Sequence, residues 1–272
     1  MKFKILIISL KTTAIILLGI NFIGFFMPLR NSEIYAESNT FFKNDIGLTE
    51  EQLLEILSQK NGSDKDFAIK ANDAINKGIA HFWMDEGIDK YNLRVPIFEN
   101  YILYLASYTS PASFMKYEFS DYQLALERGV GLCSQHSIIL SEILKKNNID
   151  SKIIGLSGHV VVMANIDKKN SQYWVLDPDY GVVIEHSISQ IEKEPEIIRM
   201  YYAQHGYSNE DIMKLIDIYG PDGNFITDGV REYSGNNKYY FEKISYVAIW
   251  VIPFLILCIS YTLERSMKPK SV

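Results

Sequence analysis

Cysteine is scarce in this chain: two in 272 residues, which excludes a disulfide-dense scaffold. Cys258 sits inside a C-terminal apolar stretch, so the region between the two apolar ends holds Cys133 alone and cannot close a disulfide within itself. A basic surplus is also missing. Asp and Glu number 33 against 27 Lys and Arg, so nothing suggests a nucleic-acid partner, which would want a basic face. Histidines number five, and His81, His186 and His205 are scattered without ligand spacing, so neither a metal nor another cofactor is expected. There is no internal repeat and no low-complexity tract.

What charge there is lies unevenly. The first 29 and last 29 residues carry six of the Lys and Arg and one acid, which leaves the middle strongly acidic. Basic ends around an acidic middle suit a protein whose ends stay in the cytoplasm while the middle is exported. Lys2 and Lys4 begin the chain, Ala14 to Met27 is an apolar core, and Pro28 ends it. Two alternatives follow. Ile34-Tyr35-Ala36 is a candidate cleavage site, or Ile5 to Pro28 is an uncleaved signal anchor, with Lys11 snorkelling. Isoleucine at position 34 favours the anchor. Tyr246 to Leu263 is uncharged and followed by Glu264, Arg265, Lys268 and Lys270, a stop-transfer pattern.

Periodicity organises the middle. Thr49 and Gln52 have capping-box spacing, and Ser63 starts a second helix that ends at Gly78. Residues 79–108 are aromatic-rich, with helix expected around Pro96. Tyr122 to Arg128 reads as a short helix or turn into Gly129-Val130-Gly131. Ser134 to Asn147 is a strong helix, with Ile138, Ile139, Leu140, Ile143 and Leu144 on one face. The period then changes. Lys152 to Leu156, Val160 to Ala164, Tyr173 to Leu176 and Val182 to Ile184 predict an antiparallel meander. Helix returns over 187–219, with Ser208 and Asp211 as a start signal. The order is α+β.

The candidate chemistry lies at element boundaries. Cys133, in Gly131-Leu132-Cys133-Ser134-Gln135-His136, falls at the first turn of its helix, where unpaired N–H groups and the positive dipole end favour a negative sulfur. His159 follows Gly158, expected to permit close approach, and precedes a strand; as base it would accept the thiol proton. Asp177 ends the next strand in Trp174-Val175-Leu176-Asp177-Pro178, placed to orient the histidine ring. Nucleophile, base and orienter thus appear in the order a cysteine triad needs. His136, three residues after Cys133, is expected to contact substrate or solvent, with a rival base or a Cys133, His136, His159 and Asp177 metal set as alternatives. Cys133 N–H is one candidate oxyanion donor, with Gln123, Gln135 and Trp83 as candidates for the second.

The stretch from Tyr122 to Ile184 resembles the core of the transglutaminase-like superfamily. The resemblance rests on Gly131-Leu132-Cys133, Asn148-Ile149-Asp150 before a strand, Gly158-His159, and Trp174-Val175-Leu176-Asp177-Pro178-Asp179-Tyr180-Gly181. It implies a papain-like α+β core with Cys133, His159 and Asp177 as the triad, acting by acyl transfer or hydrolysis at an amide through a thioester. Two departures stand out: Val161 occupies a position usually aromatic, and His136 or Ser137 one usually small. The expected division is 1–36 as signal anchor or signal peptide, 45–220 as a transglutaminase-like extracytoplasmic domain, 221–244 as a juxtamembrane connector, 245–263 as a transmembrane helix and 264–272 as a basic cytoplasmic tail. The expected partner is a peptide or protein substrate at the envelope or surface. The rival is a catalytically inactive domain of the same fold that binds peptides or scaffolds a membrane assembly.

Overall fold

The computed structural model describes residues 2–36, 46–220 and 223–267. Lys268 and Lys270 of the basic tail, and residues 221–222 at the start of the expected connector, lie outside the described residues. In chain order, α1 is Lys2–Gly24, α2 Glu50–Ser58, α3 Asp64–Gly78, β1 Ala80–His81, α4 Gly87–Lys90, α5 Tyr101–Thr109, α6 Pro111–Phe114 and α7 Tyr122–Arg128. Next come β2 (Val130–Gly131), α8 (Cys133–Lys146), β3 (Ser151–Gly155), β4 (Val160–Asp167), β5 (Gln172–Asp177) and β6 (Val182–Ile184). The rest is α9 (Ile188–Ile191), α10 (Ile198–Gln204), α11 (Asn209–Ile218), β7 (Phe225–Thr227), α12 (Val230–Ser234) and α13 (Asn236–Ser266).

Local chemistry sets several of these boundaries. Thr49 with Gln52 and Ser63 with Asp66 form reciprocal capping boxes that start α2 and α3. Gly129 ends α7 at φ +68°, a left-handed position that glycine reaches without a Cβ clash. Against it lies the Arg30 guanidinium, which donates to Gly78 O (3.2 Å) and Leu126 O (2.5 Å). A buried cation at the C-terminal ends of α3 and α7 satisfies carbonyls that those helices leave open. Ile34 packs with Ala80, Phe82, Tyr91, Leu93 and Val130. Residues just beyond the first apolar run are therefore built into a folded core.

The five-stranded sheet has the order β6-β5-β4-β3-β7 and is antiparallel throughout, with Ile153 opposite Val162 and Val162 opposite Leu176. Helices cover both faces. Ile138 of α8 packs with Ile153, while Ile198, Ile212 and Leu215 of α10 and α11 pack with Ile154, Val161 and Val175. Burial on both faces explains why Val160-Val161-Val162 is a continuous apolar run rather than an alternating one. Each such side chain fully buried contributes roughly 1.5–3 kcal/mol.

Two expectations are corrected. Residues 221–244 are not simply a connector: β7 pairs with β3 and covers an edge that would otherwise be open, and α13 has begun by Asn236. Nor is the region around Pro96 a helix. His81 and Ala80 pair in parallel with Gly131 and Val130, and Pro96 O accepts from Asn100 N (3.1 Å) in a turn before α5.

Arg94–Tyr117 groups with α1 and α13 as one unit, and Arg30–Leu93 with Glu118–Tyr239 as the other. In the first unit, α1 and α13 are each long and apolar enough to cross a membrane, and most of both is exposed, including Ile8, Ile15, Phe22, Phe254, Leu255 and Ile259. The helices run antiparallel. Lys11 pairs with Glu264 (2.5 Å), Asn21 meets Ile249, and Phe25 stacks on Trp250. Pro253 lies inside α13 and lacks the N–H that would bond Ile249 O. Asn21 Nδ2 (2.7 Å) and Tyr101 Oη (3.1 Å) donate to that carbonyl instead. Unpaired backbone groups are costly in hydrocarbon, so the proline gives α1 a specific docking point. Asn21→Leu should cost about 1 kcal/mol of stability in detergent unfolding. The cost should shrink in a Pro253→Leu background, which restores an internal donor to Ile249 O; an equal cost in both backgrounds contradicts this account.

Candidate active site

Helix α8 begins with Cys133 because β2 fixes the chain just before it: Gly131 is paired with His81, and Phe82 N donates to Gly131 O (3.2 Å). The N-cap is Leu132, whose side chain cannot accept a hydrogen bond. The first N–H groups of α8 are thus left without a side-chain cap, and the half-buried Cys133 sits among them. One turn along, Ser137 Oγ donates to Val160 O (2.9 Å), which ties α8 to the start of β4.

His159 occupies the turn between β3 and β4, where Leu156 N donates to His159 O (2.8 Å). Gly158 has φ +100°, and a Cβ there would meet nothing within 4 Å. Glycine is needed at this point for its backbone conformation, not for close approach as expected from sequence. Pairing of β4 with β5 carries Asp177 alongside. His159 Nε2 lies 2.8 Å from Asp177 Oδ2, and a ring nitrogen lies within 4.8 Å of Cys133 Sγ. With Nε2 directed to the carboxylate, Nδ1 is the nitrogen left for the sulfur. Burial pushes the His159 pKa down, but the Asp177 charge and hydrogen bond, with the Cys133 contact, outweigh it and hold the value well above the ordinary range.

Asp177 is fully buried and accepts four hydrogen bonds. Oδ2 receives His159 and Tyr202 Oη (2.6 Å), while Oδ1 receives the backbone N–H groups of Asp179 and Tyr180 (both 3.1 Å). Tyr202 Oη also lies 2.9 Å from Tyr219 Oη. Tyr180 sets its ring edge-on to His159 at 5.2 Å, and Tyr207 holds Tyr180 O at 2.6 Å. Burial first, then the Asp177 charge, raises the pKa of Tyr180, Tyr202 and Tyr219, so these phenols stay neutral donors.

No protein-family model, curated protein or solved structure matches the chain.

The structure thus brings Cys133, His159 and Asp177 together from three elements. His136 does not fill the role expected of it. It is fully buried, with Nδ1 2.8 Å from Leu132 O and Nε2 3.0 Å from Ile79 O, so both ring nitrogens are engaged by backbone and neither faces substrate. That also dissolves the metal set containing His136. Among the described residues the group close enough to hold a metal is Cys133, His159 and Asp179, whose donor atoms lie within 4.8 Å of one another. Gln135 is not an oxyanion donor: its Oε1 accepts from Phe119 N (2.8 Å) and Arg128, and its Nε2 donates to Phe119 O (2.9 Å). Gln123 is exposed on α7. Trp83 lies two residues past His81, the last paired residue of β1, as Cys133 lies two past its partner Gly131.

Sequence reasoning passed over Asp179 and His81. His81 Nδ1 lies 2.6 Å from Asp179 Oδ1, across 98 positions of sequence.

The raised His159 pKa has a consequence for stability. A group whose folded pKa exceeds its unfolded value of ~6.5 stabilises the fold fully below that pH, and the contribution is lost as pH rises through the folded value. Asp177→Asn removes the cause. The melting-temperature gap between wild type and Asp177→Asn should be widest near pH ~6 and narrow as His159 deprotonates. A gap independent of pH from acid to alkaline conditions contradicts the assignment.

Proposed function

We propose that this protein is a membrane-anchored cysteine acyltransferase or amidohydrolase with a transglutaminase-like, papain-type core, acting on peptide or protein amides. The observation that carries the proposal is His159 held between Asp177 and Cys133. In the first step Cys133 Sγ adds to the amide carbonyl, forming a C–S bond. His159 then hands its proton to the leaving amine as the C–N bond breaks, and a thioester remains. An acceptor, water or an amine, attacks the thioester, gives a proton to His159 and expels the sulfur. Negative charge on the carbonyl oxygen is met by the uncapped N–H groups at the start of α8. Trp83 is the candidate for a second donor.

Location follows from the ends. The antiparallel pairing of α1 and α13 puts Lys4, Lys11 and Arg265 toward one end of the helix pair. By the positive-inside rule that end is cytoplasmic, and the acidic remainder lies outside. Ile34 and Arg30 in the folded core support an N-terminal anchor that is retained, because cleavage after Ala36 would strip both from the packing around β1 and α7. An envelope or surface substrate is then the accessible class.

Iodoacetamide should modify Cys133 rapidly at mildly acidic pH, where free thiols react slowly, and His159→Ala should slow this by ~10²-fold or more, the scale of a positioned acid–base group. Peptide mapping of labelled full-length chain reads the rate. Slow labelling with an ordinary thiol pH profile, indifferent to His159→Ala, would leave a peptide-binding or scaffolding module in place of an enzyme.

A further inference from the structure

From Asn100 to Met115 the chain carries no Asp, Glu, Lys or Arg, and Arg94 and Lys116 flank the run. It is too short to span a bilayer, which needs about 20 residues. It holds α5 and α6 and folds with α1 and α13 in one unit. On α5, Leu103 and Ser107 face inward, whereas Leu105 (59% exposed) and Tyr108 (56%) face outward with Thr109. A helix whose outer face shows leucine and tyrosine, with no charge on any side, is out of place in water. Its hydroxyls turn back on their own segment. Ser107 Oγ donates to Tyr104 O (2.7 Å), Thr109 Oγ1 to Ala106 O (3.3 Å) and Tyr108 Oη to Tyr104 Oη (2.9 Å). None of the three needs water as a partner.

Contacts with α1 and α13 give the depth of this segment. Asn100 Nδ2 donates to Ser245 Oγ (2.9 Å), Tyr101 Oη donates to Ile249 O (3.1 Å), and a Cβ on Gly24 of α1 would strike Phe98 O. The segment returns at Phe114, edge-on to Phe241 at 5.4 Å, and at Tyr117, whose hydroxyl donates to Glu242 (2.8 Å). Glu264, paired with Lys11, closes the uncharged run of α13 at its other end. At a rise of ~1.5 Å per residue, Ile249 stands about 22 Å along the helix from Glu264, Ser245 about 28 Å and Phe241 about 34 Å. A hydrocarbon core ~30 Å thick therefore reaches the entry of the segment and stops near its return. At the same level α13 exposes Ile244, Val247 and Val251, and α1 exposes Phe25 and Phe26. The lipid that covers those side chains continues over α5. We propose that α5 and α6 form an interfacial insert in the extracytoplasmic leaflet, a third membrane contact that sets Leu105 and Tyr108 against phospholipid acyl chains. Arg94, whose guanidinium lies 4.6 Å from the centre of the Tyr108 ring and donates to its hydroxyl, stands with Lys116 at headgroup level. The inference rests on the membrane-anchored reading above and adds to it a surface that holds the chain at the outer interface.

Phosphatidylcholine with a diazirine in its acyl chain tests this on the unaltered sequence. Full-length chain is reconstituted into phosphatidylcholine–phosphatidylglycerol vesicles containing that lipid, irradiated and digested, and the lipid adducts are mapped. They should fall on the peptide carrying Leu105 and Tyr108 as well as on α13, and be absent from α10, although Met200 there is 57% exposed. Nitroxide labels then fix the depth. Leu105→Cys, Leu255→Cys and Met200→Cys are made singly in a Cys133→Ser, Cys258→Ser background, each at an exposed side chain. Oxygen, which concentrates in lipid, should relax the labels at 105 and 255 more than a water-soluble nickel chelate does, and the order should reverse at 200. The proposal is overturned if the 105 peptide takes no lipid while α13 does, or if the label at 105 follows the one at 200. It is also overturned if the label at 105 is shielded from both relaxants, which would mark a protein contact in place of lipid. Failure of the anchored reading shows differently: the label at 255 would then behave as the one at 200, and the insert would fall with the anchor.

Discussion

The buried carboxylate of Asp177 is the constraint on which the rest of the site depends. Removing such a charge from water costs several kcal/mol, and it is tolerated only where hydrogen bonds replace the lost hydration. Here His159, Tyr202 and two backbone N–H groups supply them. Each donor fixes a different part of the protein. The backbone pair closes the turn after β5, Tyr202 draws α10 onto the sheet, and the bond to His159 fixes a ring that has a nitrogen within 4.8 Å of Cys133 Sγ. The donors that compensate this buried charge are the same ones that fix the His159 ring beside Cys133.

The scaffold keeps that orientation from drifting. Ser137 pins α8 to the residue after His159, so Cys133 and His159 sit on segments joined by a direct bond. The short β1–β2 pair sets where α8 begins, and Gln135, buried and fully bonded to Phe119 and Arg128, holds the first turn from the other side. An apolar N-cap would be a defect in an ordinary helix. At α8 it leaves backbone donors beside Cys133 without a side-chain cap. In the other unit, the carbonyl freed by Pro253 is met by Asn21 and Tyr101, and a helix defect again becomes a specific contact.

Much of this was legible in the sequence, for identifiable reasons. Cys133, His159 and Asp177 each mark a boundary between elements, and glycine, proline and the change from helical to strand periodicity advertise those boundaries. The strands β3 to β6 announce themselves through apolar runs and polar turns. What stayed hidden lacked a local signal. Strands β1 and β7 have two and three residues, too few for any period to show. His81 and Asp179 are brought together only by the fold. His136 looked available because its sequence position shares a helical face with Cys133, but two carbonyls, Leu132 O and Ile79 O, take its ring. Gly158 was recognised as necessary for the wrong reason, since sequence cannot distinguish a positive φ from a crowded neighbour.

Acylation by a simple activated ester tests the central claim most directly. Full-length chain in detergent, with Cys258 replaced by serine, is mixed with p-nitrophenyl acetate, and nitrophenol release is followed alongside intact and peptide mass spectrometry. A working nucleophile and base should give a burst of about one nitrophenol per chain and a single acetyl group on Cys133, with the burst lost in His159→Ala and slowed in Asp177→Asn. Acetylation spread over lysines with Cys133 unmodified, or a burst that persists without His159, would contradict the account.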